Sequence, residues 1–135
     1  MKPVFLDTGY LIALEAGDDQ NHQAARRHWE RFSSRLPPLV TTSVVFAEVV
    51  TFFNGKGQHA KAVEIGNRLL ESLTVTLVQV DEPGLLAAWE YFQQHADKSF
   101  SLADCASFLV MRERGIEQAL AFDRHFTQAG FQKLS

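Results

Sequence analysis

Four carboxylates carry the possible chemistry of this 135-residue chain. Asp7 closes the apolar run Val4-Phe5-Leu6, Glu48 stands inside Val44 to Phe53, Asp104 follows Ser101-Leu102-Ala103, and Asp123 follows Ala119 to Phe122. Carboxylate oxygens are hard donors, and a set drawn from separate segments suits Mg²⁺, with Mn²⁺ as the variant. Without a cation, like charges so gathered raise at least one carboxyl pKa and titrate as a coupled set. Zinc is disfavoured: His22, His28, His59, His95 and His125 show no ligand spacing, and the one cysteine, Cys105, has no partner. The same lone cysteine excludes an internal disulfide and reads as a small buried packer.

Each acid also has an ordinary structural use. Ser101 to Asp104 has the form of a capping box, in which Asp104 satisfies the Ser101 amide. Asp7 and Asp123 fit Asx turns or caps at strand exits. Glu48, flanked at helical spacing by Val44, Val45, Thr51 and Phe52, is expected to lie in apolar surroundings, where a carboxylate must be paired with an Arg or Lys, neutralised or coordinated. Asp81, before Glu82-Pro83, reads as an N-cap, and Asp97 as a loop or cap residue. Independent caps have no reason to gather at one edge of a sheet, whereas a divalent cation requires several oxygens in one place.

The elements that must position these residues are short strands alternating with helices. Lys2–Leu6, Leu39–Thr42, Val75–Val80 and Ala119–Phe122 read as strands, with Phe131–Leu134 a possible fifth. Between them lie helical patterns: Tyr10 to Leu14, His22 to Phe32, Val44 to Phe53 with Ser43 as N-cap, His59 to Leu73, Gly84 to His95, Ser101 to Arg114 closed by Gly115, and Asp123 to Gln128. Ala62, Ile65, Leu69 and Leu73 are expected inward on one helix, and Leu85, Ala88, Trp89 and Phe92 on another. Such alternation gives an α/β fold with a central parallel sheet covered on both faces. Ligands of an open parallel sheet bind beyond the carboxyl ends of its strands, where Asp7, Asp123 and the helix starts converge.

The length suits one domain, taken as residues 1–135, and 46% hydrophobic with 21% charged residues excludes disordered and fibrous classes. No apolar run is long enough for a membrane span or signal peptide, so the expected location is the cytoplasm. With a net charge of −3, bulk attraction cannot hold a polyanion, and any nucleic-acid role needs local charge. Arg27, Arg31 and Arg35 recur every four residues, and Lys56, Lys61, Arg112, Arg114 and Arg124 are further candidates. An aspartyl-phosphate phosphatase would need a second Asp where Gly9 stands, and a receiver domain needs an early acidic pair and a late lysine that are missing.

Phe5-Leu6-Asp7-Thr8-Gly9, Thr42-Ser43-Val44-Val45-Phe46-Ala47-Glu48-Val49, Ser101-Leu102-Ala103-Asp104-Cys105 and Phe122-Asp123-Arg124-His125-Phe126, in this order, resemble the PIN-domain family and within it the VapC-type ribonuclease toxins. The resemblance implies a three-layer sandwich around about five parallel strands, an acidic pocket for Mg²⁺ or Mn²⁺, and hydrolytic endonuclease action on RNA. It implies Asp7, Glu48, Asp104 and Asp123 as the catalytic set, Asp7, Asp104 and Asp123 as metal ligands with Glu48 orienting water, and Thr8 and Ser43 as supporting hydroxyls. The family's last motif often carries Thr or Ser where this chain has Ala121. An RNA substrate, a homodimer and a small antitoxin protein shielding the pocket follow from the same resemblance. The competing reading is a PIN-like module that binds RNA or protein without cleaving.

Overall fold

The first strand is short because Asp7 ends it. β1 (Val4–Leu6) is wholly buried, and Asp7 then caps α1 (Thr8–Glu15) by accepting the Gly9 N–H on its side chain. α2 (His22–Phe32) runs on into a 3₁₀ turn at Ser33–Arg35 before the two prolines, and β2 (Leu39–Thr42) follows. Then come α3 (Ser43–Gly55), α4 (His59–Glu71), β3 (Val75–Val78), α5 (Glu82–Gln94), α6 (Leu102–Glu113), β4 (Gln118–Leu120), α7 (His125–Gln128) and β5 (Gln132–Leu134). These elements belong to a computed structural model that describes residues 1–135.

All five strands are parallel, in the order β3-β2-β1-β4-β5. The chain therefore winds outward from β1 through β2 to β3, then returns to the far side of β1 to add β4 and β5. The reversal between β1 and β4 is a topological switch point, where a crevice opens at the carboxyl ends of the strands. Leu6 pairs with Leu120 in register, and the Asp7 N–H bonds the Leu120 carbonyl at 3.1 Å. That register brings the exit of β1 beside the exit of β4.

The core wraps both faces of the sheet. Phe5, Tyr10, Phe53, Phe108 and Phe126 are its largest fully buried side chains. Phe108 is the hub of the half that holds β4: its ring meets Phe100 at 5.0 Å and Phe126 at 5.1 Å, both edge-to-face. Stacking of this kind holds α6 and α7 against the sheet. No helix is long and apolar enough to cross a membrane.

Several expectations need correction. Thr42 is the N-cap of α3 instead of Ser43, its hydroxyl accepting the Val45 N–H at 3.1 Å. The Ser43 hydroxyl faces the other way and accepts the Val80 N–H at 2.9 Å, fixing the chain just beyond β3. Leu73 lies past the end of α4 and is fully exposed. On α5 only Ala88 is buried, while Leu85, Trp89 and Phe92 of the same stripe are exposed, because the extensive packing of that helix is against α6 alone. Helical periodicity identifies an apolar face; it does not say whether the same chain covers it.

Candidate active site

Asp7 is buried because it stands between two strand exits. Its Oδ2 accepts the Gly9 N–H at 3.3 Å. Burial pushes its carboxyl pKa well above the ordinary range, and the neighbouring charges of Asp123 and Asp104 push it further; the Gly9 and Thr8 amides act in the opposite sense. This ranking places the three aspartates within one another's field.

Asp104 comes from the first turn of α6, which the capping box sets in place. The Ser101 hydroxyl accepts the Asp104 N–H at 2.9 Å, and the Ser101 N–H donates to Asp104 Oδ2 at 3.0 Å. The structural reading of this acid is thus correct, and it does not exclude a second role, since the cap uses one oxygen only. Oδ1 of Asp104 has no hydrogen-bond partner, nor has Oδ1 of Asp7, although both residues are buried. No fully enclosed side-chain oxygen in the protein lacks a partner, so these two atoms are not sealed from solvent. Carboxylate oxygens are donors of the kind a hard cation takes, and Asp7 lies within the electrostatic reach of Asp104 and Asp123 while standing outside the tighter group that Asp104 forms with Asp123 and His125.

Asp123 is exposed and stands on the turn after β4, where its Oδ1 accepts the His125 N–H at 2.9 Å. The side of the carboxyl that is turned from water is desolvated, which raises its pKa; the His125 amide opposes that, and Asp104 adds to the rise. His125, which shows no zinc-ligand spacing in the sequence, stands at the acids: its Nδ1 lies 2.7 Å from Asp104 Oδ2 and 3.7 Å from Asp123 Oδ1. Asp104, Asp123 and His125 can each present a ligand atom within 4.8 Å of the others. The signal for His125 was the Asp-x-His spacing, which brings an imidazole back over the acid two residues before it.

Glu48 departs from expectation. It is exposed, on the outer side of α3 with Ala47 and Thr51, and it makes none of the protein's ion pairs. The Thr8 hydroxyl donates to Glu48 Oε1 at 2.7 Å, so α1 and α3 meet at this bond. Apolar neighbours in sequence placed Glu48 in the core, but α3 turns Val45, Val49 and Phe53 inward and leaves Glu48 facing water. Glu48 lines a hollow of about 480 Å³ with Thr8, Val44 and Thr51, and Asp123 lines one of about 420 Å³ with Gly9, Asp19 and Phe122. Ile12 and Phe52 belong to both, so the two hollows share a wall. Ser43 hydrogen-bonds Val80 and none of the acids, Asp81 caps α5 through the Gly84 N–H, and Asp97 pairs with Lys98 at the surface.

The profile of the PIN domain family matches residues 4–132. The chain belongs to the PIN-domain family. Among relatives of this PIN domain, the 23S rRNA-specific endonuclease VapC20 of Mycobacterium tuberculosis strain H37Rv is 35% identical over 128 residues, which is 95% of each chain. The crystal structure of M. tuberculosis VapC20, described as a toxin that cleaves the sarcin-ricin loop, superposes with a TM-score of 0.85 at 34% identity, again over 95% of both chains. A toxin-antitoxin complex from Klebsiella pneumoniae gives a TM-score of 0.66 at 13% identity, covering 98% of this PIN domain and 96% of that chain. FitAcB from Neisseria gonorrhoeae gives 0.65 at 15% with the same coverage. The last two likenesses are of fold alone.

Proposed function

We propose that this chain is a divalent-metal-dependent endoribonuclease acting as the toxin of a toxin-antitoxin pair, with residues 1–135 forming one PIN domain. The observation that supports the reading is the gathering of acids beside the β1–β4 switch point, where Asp104, Asp123 and His125 can present ligand atoms within 4.8 Å of one another and buried Asp7 feels the charges of both aspartates. Similarity to VapC20 across nearly the whole chain supplies the substrate class, RNA, with large-subunit ribosomal RNA the first to test.

Asp7 and Asp104 would hold the principal cation, Asp123 would complete its set, and Mg²⁺ suits oxygen donors of this kind, with Mn²⁺ the alternative. A cation held there supplies Lewis acidity toward the phosphodiester and lowers the pKa of water. The chain's own groups do the rest. Glu48, held by the Thr8 hydroxyl, orients the attacking water and accepts its proton through a carboxylate that faces solvent. Asp7, raised in pKa by burial and by its neighbours, gives up its proton when the cation arrives. Ser43 supports the edge of the site indirectly, through Val80.

Local charge must grip the RNA. Lys56 is paired with Asp18, Lys61 with the Glu15 carbonyl, and Arg112 with the Ala129 carbonyl; of the exposed candidates without such a partner, Arg27, Arg31, Arg35, Arg114 and Arg124, the last stands directly beside Asp123. The partner proteins are an antitoxin and a second copy of the chain. An apolar hollow of about 610 Å³ lined by Leu11, Leu14, Trp29, Ile65 and Leu69, with Arg26, Arg68 and Glu15 among its other walls, suits an apolar antitoxin segment.

Incubating the purified protein with ribosomal RNA in Mg²⁺, in Mn²⁺ and in EDTA tests the reading. Cleavage is expected with metal and not with EDTA, and is lost in Asp7→Asn and Asp104→Asn. Cleavage that survives chelation or either substitution sinks the proposal; tight RNA binding by the wild type with no cleavage in any metal would favour the non-cleaving module instead.

A further inference from the structure

His125 holds two carboxylates with two different parts of itself. Its main-chain N–H donates to Asp123 Oδ1 at 2.9 Å, and its ring Nδ1 lies 2.7 Å from Asp104 Oδ2. A carboxylate oxygen accepts, so Nδ1 carries the hydrogen and the imidazole is the donor. The same Oδ2 accepts the Ser101 N–H at 3.0 Å, so two donors on different elements pin one oxygen of Asp104 and leave Oδ1 free. The ring stands edge-on to buried Phe100, with centroids 5.6 Å apart at 79°, which fixes its orientation.

We infer that His125 is a positioning residue for the cation site, setting the separation of Asp104 and Asp123 and aiming Asp104 Oδ1 into the crevice. Asp104 rides on α6 and Asp123 on the turn after β4; the Ser101 cap fixes Asp104 relative to its own helix only. Nothing else on the protein bonds both acids. Hydrogen bonds that orient a ligand carboxylate are worth roughly 10–100-fold in metal affinity in comparable sites. The imidazole acts as a donor to a ligand here, because the nitrogen nearest the acids is already engaged by Asp104.

The inference rests on the divalent-cation reading above, and the test separates the two. Mn²⁺ binding to the metal-free protein is measured by titration calorimetry for the wild type, His125→Phe and His125→Asn. Phenylalanine keeps the packing against Phe100 without a donor; asparagine places an amide N–H near the Nδ1 position. H125F is expected to bind Mn²⁺ about 10–100-fold more weakly than wild type, and H125N to recover most of the loss. Wild-type protein that binds no Mn²⁺ would overturn the cation reading itself. Mn²⁺ binding by H125F within about twofold of wild type, or H125N no better than H125F, would overturn the positioning role while leaving the cation reading intact. Pulsed electron paramagnetic resonance of the Mn²⁺ complex supplies the second readout. A ¹⁴N coupling lost in H125N would make His125 a ligand and overturn the inference; no such coupling is expected.

Discussion

Asp7 and Asp123 leave adjacent parallel strands at the same end of the sheet, one buried and the other exposed. The buried member bears the greater electrostatic cost, because burial, Asp123 and Asp104 all disfavour its ionised form. A carboxyl whose pKa is raised on folding contributes stability that is present below its unfolded value, near 3.8, and lost as pH rises through the folded value. At neutral pH and without a cation, Asp7 therefore destabilises the protein. Asp7→Asn should raise the melting temperature in EDTA at pH 7.5 by roughly 3–8 °C, about 1–2 kcal/mol, while abolishing cleavage. Thermal denaturation of the two proteins at pH 7.5 checks this, and a lower melting temperature for the variant would show that Asp7 is not under strain.

The same raised pKa couples metal to protons. If the Asp7 carboxyl holds its proton above the ordinary carboxylate range, divalent-ion binding must release it, and affinity falls as pH falls. Calorimetric titration with Mn²⁺ at a lower and a higher pH within the folded range, each in two buffers of different ionisation enthalpy, should give apparent heats that differ between buffers, more so at the lower pH. Heats that are independent of buffer at both pH values would remove Asp7 from the binding step.

Thr8 and Glu48 come from α1 and α3, and the 2.7 Å bond between them is the only hydrogen bond or ion pair to the Glu48 carboxylate. Thr8→Val keeps the shape and deletes the donor, so Glu48 swings free; cleavage should drop on the order of 10-fold, since misorientation of a water-positioning group is felt in kcat. Glu48→Gln keeps the acceptor and loses the charge, and should cost more, about 100-fold. Steady-state cleavage of a short stem-loop RNA measures both. Full activity in T8V would mean that this bond serves only to join two helices.

How much of this could be read from the chain depended on what each residue's role required. Asp7 and Asp123 were legible because a strand that stops at an acid needs no tertiary knowledge, and parallel topology sends every strand exit to one edge. Asp104 was legible as a cap, and the capping box is there in the structure; because that box uses one carboxylate oxygen, it leaves the proposed ligand role open. Glu48 was misplaced in the core because periodicity among valines and phenylalanines cannot show which side of α3 meets another element. The same limit hid the exposure of Leu85, Trp89 and Phe92. His125 was passed over because its importance lies in a bond to a residue twenty-one positions away, across a helix and a strand.

A separate titration lies on the other side of α1. Tyr10 is fully buried, its hydroxyl is pushed to a pKa of about 12 by that burial, and it lies 2.7 Å from Nδ1 of His28. Tyr10 donates to a neutral imidazole there. Burial first, and Arg31 second, hold the His28 pKa below its ordinary value of 6.5. A base with a lowered pKa favours its neutral form in the folded protein, so its contribution is present above 6.5 and is lost as pH falls, when the unfolded chain takes up the proton. Protonation of Nδ1 would also remove the acceptor that Tyr10 uses. His28→Asn offers an oxygen near the Nδ1 position and cannot titrate, so the wild type should lose melting temperature relative to this variant between pH 7.5 and pH 5.5. Comparing the difference cancels the opposing contribution of Asp7, which both proteins share. Parallel melting curves for the two proteins across that range would instead mean that His28 takes up its proton as easily folded as unfolded.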